Sequence, residues 1–99
     1  MPNQGVRVVA RVVARHGKVE ELRTLLQGLV EPTRREPGCV TYELLQNKTD
    51  PTDFTFVEEW RSEGDLDAHL QSPHLQRARV KLPDLAAADP DIRRYTVVV

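Results

Sequence analysis

A single cysteine in 99 residues excludes an internal disulfide and any metal site built from several thiolates. A lone Cys39 after a Pro-Gly turn, with no basic neighbour in sequence, reads as a buried thiol rather than a nucleophile and fits a reducing cytosol. Neither charge sign is in excess: the net charge is −1 and the pI about 6.3, so no field favours nucleic acid or an anionic membrane. The pairs Arg34-Arg35, Arg77/Arg79 and Arg93-Arg94 have no interleaved aromatics and read as solvated faces or ion pairs. No apolar run approaches the ~20 residues that span a bilayer. Met1-Pro2-Asn3-Gln4-Gly5 lacks the basic start and apolar stretch of a secretory leader, so a cytoplasmic location is expected. Gly-x-Gly-x-x-Gly, Walker and Gly-x-Ser-x-Gly patterns are missing, and with them any recognisable nucleotide, flavin or hydrolase signature. Aromatic residues are scarce too: two Phe, two Tyr and one Trp. Four of those five (Tyr42, Phe54, Phe56, Trp60) fall between Glu36 and His74, together with His69 and His74. Rare residue types gathered in one segment suggest a pocket there.

What is present reads as one domain over residues 1–99, with its core from about residue 6. From Val6 to Ala14 every even position is Val or Ala, which is the buried face of a strand. The odd face mixes Val9 and Val13 with Arg7, Arg11 and Arg15. After Gly17 the apolar period lengthens to three and four residues (Val19, Leu22, Leu25, Leu26, Leu29, Val30), which predicts an amphipathic helix. Pro32 should kink it near Gly28, and Pro37-Gly38 should stop it. Cys39–Gln46 and Phe54–Arg61 are rich in strand formers, and the turn chemistry of residues 47–53 joins them as a hairpin. Ser62 should cap a short helix and Ser72-Pro73 start another, with Leu75, Ala78 and Leu82 inward and Pro83 at its end. Residues 85–90 read as a loop and Ile92–Val99 as a last strand. The order strand, helix, strand, strand, broken helix, strand predicts an α+β, ferredoxin-like split βαβ fold. It has a four-stranded antiparallel sheet with helices on one face. The valines of the other face would be covered by a homodimer, where Arg7 and Arg11 could meet acids such as Glu43 and Glu58.

His69 shares a helix face with Leu66 and Leu70 and therefore points inward. An imidazole titrating near pH 6.5 suits general acid–base work, though a buried histidine bonded to backbone is the plainer alternative. Alternation puts Phe54, Phe56 and Glu58 on the side of Trp60 and Glu59 on the other. Trp60 and Tyr42 serve either as core or as a platform and a hydroxyl donor, and Glu59 either as a site acid or as an ion-pair partner. His74, in the first turn of its helix, is expected to face solvent. His69 and His74 lack the four-residue spacing of a helical metal pair, so no metal is expected.

Three pieces carry a family resemblance: residues 36–43 (Glu-Pro-Gly-Cys-Val-Thr-Tyr-Glu), Glu58-Glu59-Trp60, and residues 67–74 (Asp-Ala-His-Leu-Gln-Ser-Pro-His). In order and spacing they resemble the antibiotic biosynthesis monooxygenase family, quinol-monooxygenase-like dimeric α/β barrels, over about Val6 to Val99. Either glutamate before Trp60 could fill the family's acidic position. The resemblance implies a cofactor-free monooxygenase that deprotonates a small phenol, quinol or enol and lets its anion react with dioxygen. It implies His69 as base, Tyr42 and Trp60 beside it at the catalytic centre, and Phe54, Phe56, Glu59 and Leu66 against the substrate. Ala10, His69 and Arg79 depart from the asparagine, tryptophan and histidine of the family's haem-degrading branch. A cofactor-free isomerase working through an enolate and a non-catalytic ligand-binding dimer are the alternatives.

Overall fold

The computed structural model describes residues 5–99; the expectation of no leader at Met1–Gln4 lies outside the described residues. The elements in chain order are β1 (Val6–Val13), α1 (Val19–Gln27), α2 (Val30–Arg34), β2 (Cys39–Gln46), β3 (Asp53–Trp60), α3 (Glu63–Leu70), α4 (Pro73–Leu85) and β4 (Asp91–Tyr95). The strands form one antiparallel sheet in the order β2-β3-β1-β4, the ferredoxin-like arrangement that the element order predicts.

Register determines which side chains share the interior. β1 and β3 pair as Val6↔Trp60, Val8↔Glu58, Ala10↔Phe56 and Val12↔Phe54. All eight residues are buried on the face that the helices cover. Leu22, Leu26, Leu29, Leu66, Ala78 and Leu85 close the core from the helical side. On the opposite face Val9 and Val57 stay more than a third exposed. Arg7 pairs there with Glu59 at 3.3 Å and Arg11 with Asp53 at 2.8 Å. The expected meeting of these arginines with Glu58 across an interface does not arise, because Glu58 lies on the inner face.

Three local expectations are revised, and one irregularity is new. The first helix does not bend at Pro32 but ends at Gly28, whose N–H still bonds the Thr24 carbonyl at 3.1 Å; Pro32 sits inside the separate α2, within its first turn, where the N–H that proline lacks would have no helical acceptor. Pro83 does not end α4, which continues to Leu85. The Ala86 N–H bonds the Leu82 carbonyl and the Arg15 guanidinium takes the Pro83 carbonyl, so the turn beyond the proline is held from both sides. The last strand stops at Tyr95, because β1, its one partner, has paired down to Arg7 at that point. β2 carries an irregularity at Val40: Cys39 faces Trp60 and Thr41 faces Glu59. Two β2 residues thus oppose one step of β3, a bulge that lets the odd-numbered Cys39 join the same face as Tyr42.

Both helix starts form as read. Ser62 Oγ accepts the Asp65 N–H at 3.1 Å and donates to the Asp65 carboxylate at 3.0 Å. Ser72 Oγ accepts the Leu75 N–H, with Pro73 in the first turn. Between α2 and β2, Gly38 adopts φ +84°, and a β-carbon there would stand 2.2 Å from the Asp65 side chain. Only glycine allows the turn to approach α3 this closely.

Candidate functional site

The interior is not fully packed. A cavity of about 70 Å³ lies between the sheet and α3/α4, with Val8, Tyr42, Phe56, Glu58, Leu66, His69, Arg79 and Ile92 among the residues that line it. Its wall is mostly apolar, and the polar groups arrive from few places: Tyr42 from β2, Glu58 from β3, His69 from α3 and Arg79 from α4.

His69 is buried and held by contacts on several sides. Its ring lies 4.7 Å from that of Trp60, tilted by 30°, and meets the Tyr42 ring edge-on at 5.6 Å. Nδ1 is 2.8 Å from Glu36 Oε2, so its partner is a carboxylate and not the backbone. Nε2 makes no hydrogen bond to any described residue, and His69 is one of the residues that line the cavity. Burial pulls the His69 pKa below its ordinary value; Glu36 opposes that shift, while His74 and Arg79 add to it.

Glu58 is the second titratable group of the interior, only 4% exposed. The Trp60 indole N–H donates to its carboxylate at 2.8 Å. Desolvation outweighs that hydrogen bond, and with the nearby Glu36 charge it pushes the Glu58 pKa up to about 7. Tyr42 stacks on Phe56 at 4.8 Å. Burial first, then the Glu58 charge, raises its hydroxyl well above the usual phenol range, so it stays protonated and able to donate. The buried Thr33 lies beside that hydroxyl, but its own Oγ1 has no well-formed hydrogen bond.

Of the residues singled out from sequence, His69, Tyr42, Phe56 and Leu66 line the cavity together. Trp60 stands behind His69 and Glu58 rather than on the wall. Phe54, at the far end of β3 opposite Val12, packs in the core with the Arg23 guanidinium 5.8 Å above its ring. Glu59 is on the other sheet face with Arg7, since a one-residue step along a strand reverses the side chain. His74 does not face open solvent: its side chain is 15% exposed and Nε2 lies 2.7 Å from the same Glu36 oxygen that meets His69. The spacing argument against a metal assumed one helix, whereas His69 and His74 occupy two. Their ligand atoms and that of Glu36 lie within 4.8 Å of one another.

Sequence reasoning missed Glu36, His74 and Arg79. Arg79 was legible in principle, four residues after the inward Leu75. Glu36 and His74 belong to a turn and a helix start, where no periodicity reports direction.

The fold and cavity define a class: a small α+β domain with an acid–base pair in a largely apolar interior. The chain belongs to the antibiotic biosynthesis monooxygenase family, whose model matches residues 5–81. It is 36% identical over 80 residues to the Mycobacterium tuberculosis protein named "Putative monooxygenase Rv0793", covering 81% of this chain and 78% of that one. An uncharacterized Synechocystis protein, sll1783, is 36% identical over 90 residues; the match covers 91% of this chain but spans only 61% of the relative's length. Among solved structures, PA3566 from Pseudomonas aeruginosa superimposes with a TM-score of 0.92 at 28% identity, covering 97% of this chain and 96% of that one.

Proposed function

We propose that this protein is a cofactor-independent monooxygenase acting on a small electron-rich phenol, quinol or enol, with His69 as the general base. The observation that carries this reading is the division of labour on one imidazole that lines the cavity: Nδ1 is anchored on Glu36, and Nε2 has no partner among the described residues. His69 Nε2 accepts the substrate's acidic proton; the anion gives an electron to dioxygen, the co-reactant, and the radical and superoxide so formed join as a peroxide, which takes the proton back and breaks its O–O bond to leave one oxygen in the product as a carbonyl and the other as water. Tyr42 donates to the anion's oxygen, and Phe56 and Leu66 exclude water, which strengthens every polar contact inside. Arg79 makes no hydrogen bond or ion pair with a described residue and adds positive charge to the wall.

The cavity constrains the substrate. About 70 Å³ is less than the roughly 150 Å³ that accommodates benzene in a sealed apolar cavity; Arg79 and Ile92 on its wall are exposed, so an aromatic substrate would extend past them or displace them. The isomerase reading is favoured by one observation, the buried Glu58 carboxyl on the same cavity wall as His69, which supplies a second proton carrier for a shuttle through an enolate. Oxygen-electrode measurements over a series of hydroquinones and anthrones separate the two. A monooxygenase consumes dioxygen in step with substrate, whereas an isomerase exchanges a substrate proton with deuterium oxide under nitrogen and consumes none.

A homodimer formed through the outer sheet face is part of the proposal, supported by the exposed Val9, Val57, Val40 and Leu45. Sedimentation equilibrium should return twice the 11.3 kDa chain mass. Val57→Lys should shift it toward the monomer, and a wild-type monomer at high micromolar concentration would refute the dimer.

A further inference from the structure

Resting on the reading of His69 as base, we infer that Glu36 is its positioning residue: the carboxylate holds His69 in the Nδ1–H form, and His74 fixes that carboxylate by donating to the same oxygen. Three chain segments converge to build the arrangement. Glu36 comes from the turn after α2, which Gly38 allows to lie against α3; His69 comes from α3, and His74 from the first turn of α4. A single oxygen, Glu36 Oε2, stands 2.8 Å from His69 Nδ1 and 2.7 Å from His74 Nε2. Each separation is that of an N–H donating to a carboxylate. The carboxylate is largely withdrawn from water, its side chain 14% exposed, so two N–H donors on one oxygen replace the solvent it has lost.

A neutral imidazole has one N–H. If Nδ1 carries it, Nε2 presents a lone pair to the cavity, and the ring can accept a proton there without rotating. When it does so, the new imidazolium already faces a carboxylate. Neutral histidine in water prefers the opposite tautomer, with the proton on Nε2, which could not act as a base toward the cavity. The same three groups could be considered as cation ligands. A metal about 2.0–2.2 Å from each donor would, however, spread the donor atoms to roughly 3.0–3.4 Å, and the nitrogens lie closer to the oxygen than that.

Ring-nitrogen shifts in long-range ¹H–¹⁵N spectra of the full chain test this without any substrate. In the wild type above the histidine pKa, His69 should show a protonated Nδ1 and a bare Nε2. Glu36→Leu should shift His69 toward Nε2–H, with the remaining amide spectrum preserved. Glu36→Gln, which keeps an acceptor oxygen without the charge, should keep the Nδ1–H form. In turnover with an accepted quinol, Glu36→Leu should fall by ~10³- to 10⁴-fold, as when a histidine base loses its orienting carboxylate. Glu36→Gln should fall between, and His74→Gln by ~10- to 100-fold. A wild-type Nε2–H tautomer, or a His69 tautomer unchanged in Glu36→Leu, would overturn the assignment. So would stoichiometric zinc binding that moves both histidines and is lost in Glu36→Leu. Because the spectra need no turnover, an inactive protein with the expected shifts defeats the monooxygenase reading alone.

Discussion

His69→Ala should lower kcat by about 10²- to 10⁴-fold with any quinol the wild type oxidises, the range for removing a general base. KM should change little, because the truncation removes the proton acceptor and leaves the apolar wall in place. Added imidazole should restore part of the rate by occupying the vacated space. The pH profile supplies a second signature. Only the neutral ring accepts a proton, and burial sets its pKa below the ordinary value of 6.5. The acid limb of kcat/KM should therefore have its midpoint below pH 6.5 in the wild type and disappear in His69→Ala. An unchanged rate of oxygen uptake in the alanine variant would dismiss His69 as base.

Glu58→Gln should have the largest effect on stability as a function of pH. The Glu58 carboxyl titrates near pH 7 in the folded chain, against a reference value of 4.5. A raised folded pKa means that the native state binds the proton more tightly than the unfolded chain does. Its stabilising contribution is then complete below pH 4.5 and is lost as pH rises from 4.5 through 7. The size is about 3 kcal/mol at ~1.4 kcal/mol per pKa unit. His69 acts in the opposite direction: its lowered folded pKa favours the native state increasingly as pH rises toward 6.5. Subtracting Glu58→Gln from wild type, in urea denaturation at steps from pH 4 to 8, isolates the carboxyl. The wild type should lose about 3 kcal/mol relative to the variant across that window. Trp60→Phe, which removes the indole donor to the carboxylate, should move the window to higher pH. A difference that stays flat from pH 4 to 8 would mean that Glu58 is not the buried acid described.

The alternation of β3 was legible because a strand has only two faces. With Phe54, Phe56 and Trp60 inside, that alternation already argues against both the expected meeting of Glu58 with Arg7 and Arg11 and a place for Glu59 against the substrate. His69 was legible for a similar reason, since Leu66 and Leu70 fixed its helix face. Cys39 escaped that logic, because the bulge at Val40 shifts the phase of β2 by one residue and nothing in the composition announces it. Glu36 and His74 escaped for a different reason. Each lies at an element boundary, where the direction of the side chain depends on how the α2–β2 turn docks on α3 and on the angle between α3 and α4. The continuation of α4 past Pro83 depended on a distant partner, Arg15, which no local pattern reveals.

One wall of the cavity is made by Ile92, on a strand whose five residues are all exposed and which pairs only with β1. Its tie to α3 is the pairing of Arg94 with Glu63 and Asp67, all three at the surface, where such pairs contribute at most about 1 kcal/mol. One side of the cavity is thus bounded by an exposed edge strand. If a ring-sized ligand fits only when β4 has moved aside, the measured dissociation constant is the intrinsic one divided by the fraction of molecules already open. Loosening Arg94 would then tighten apparent binding while weakening the fold, so affinity and stability would be set against each other by one surface guanidinium.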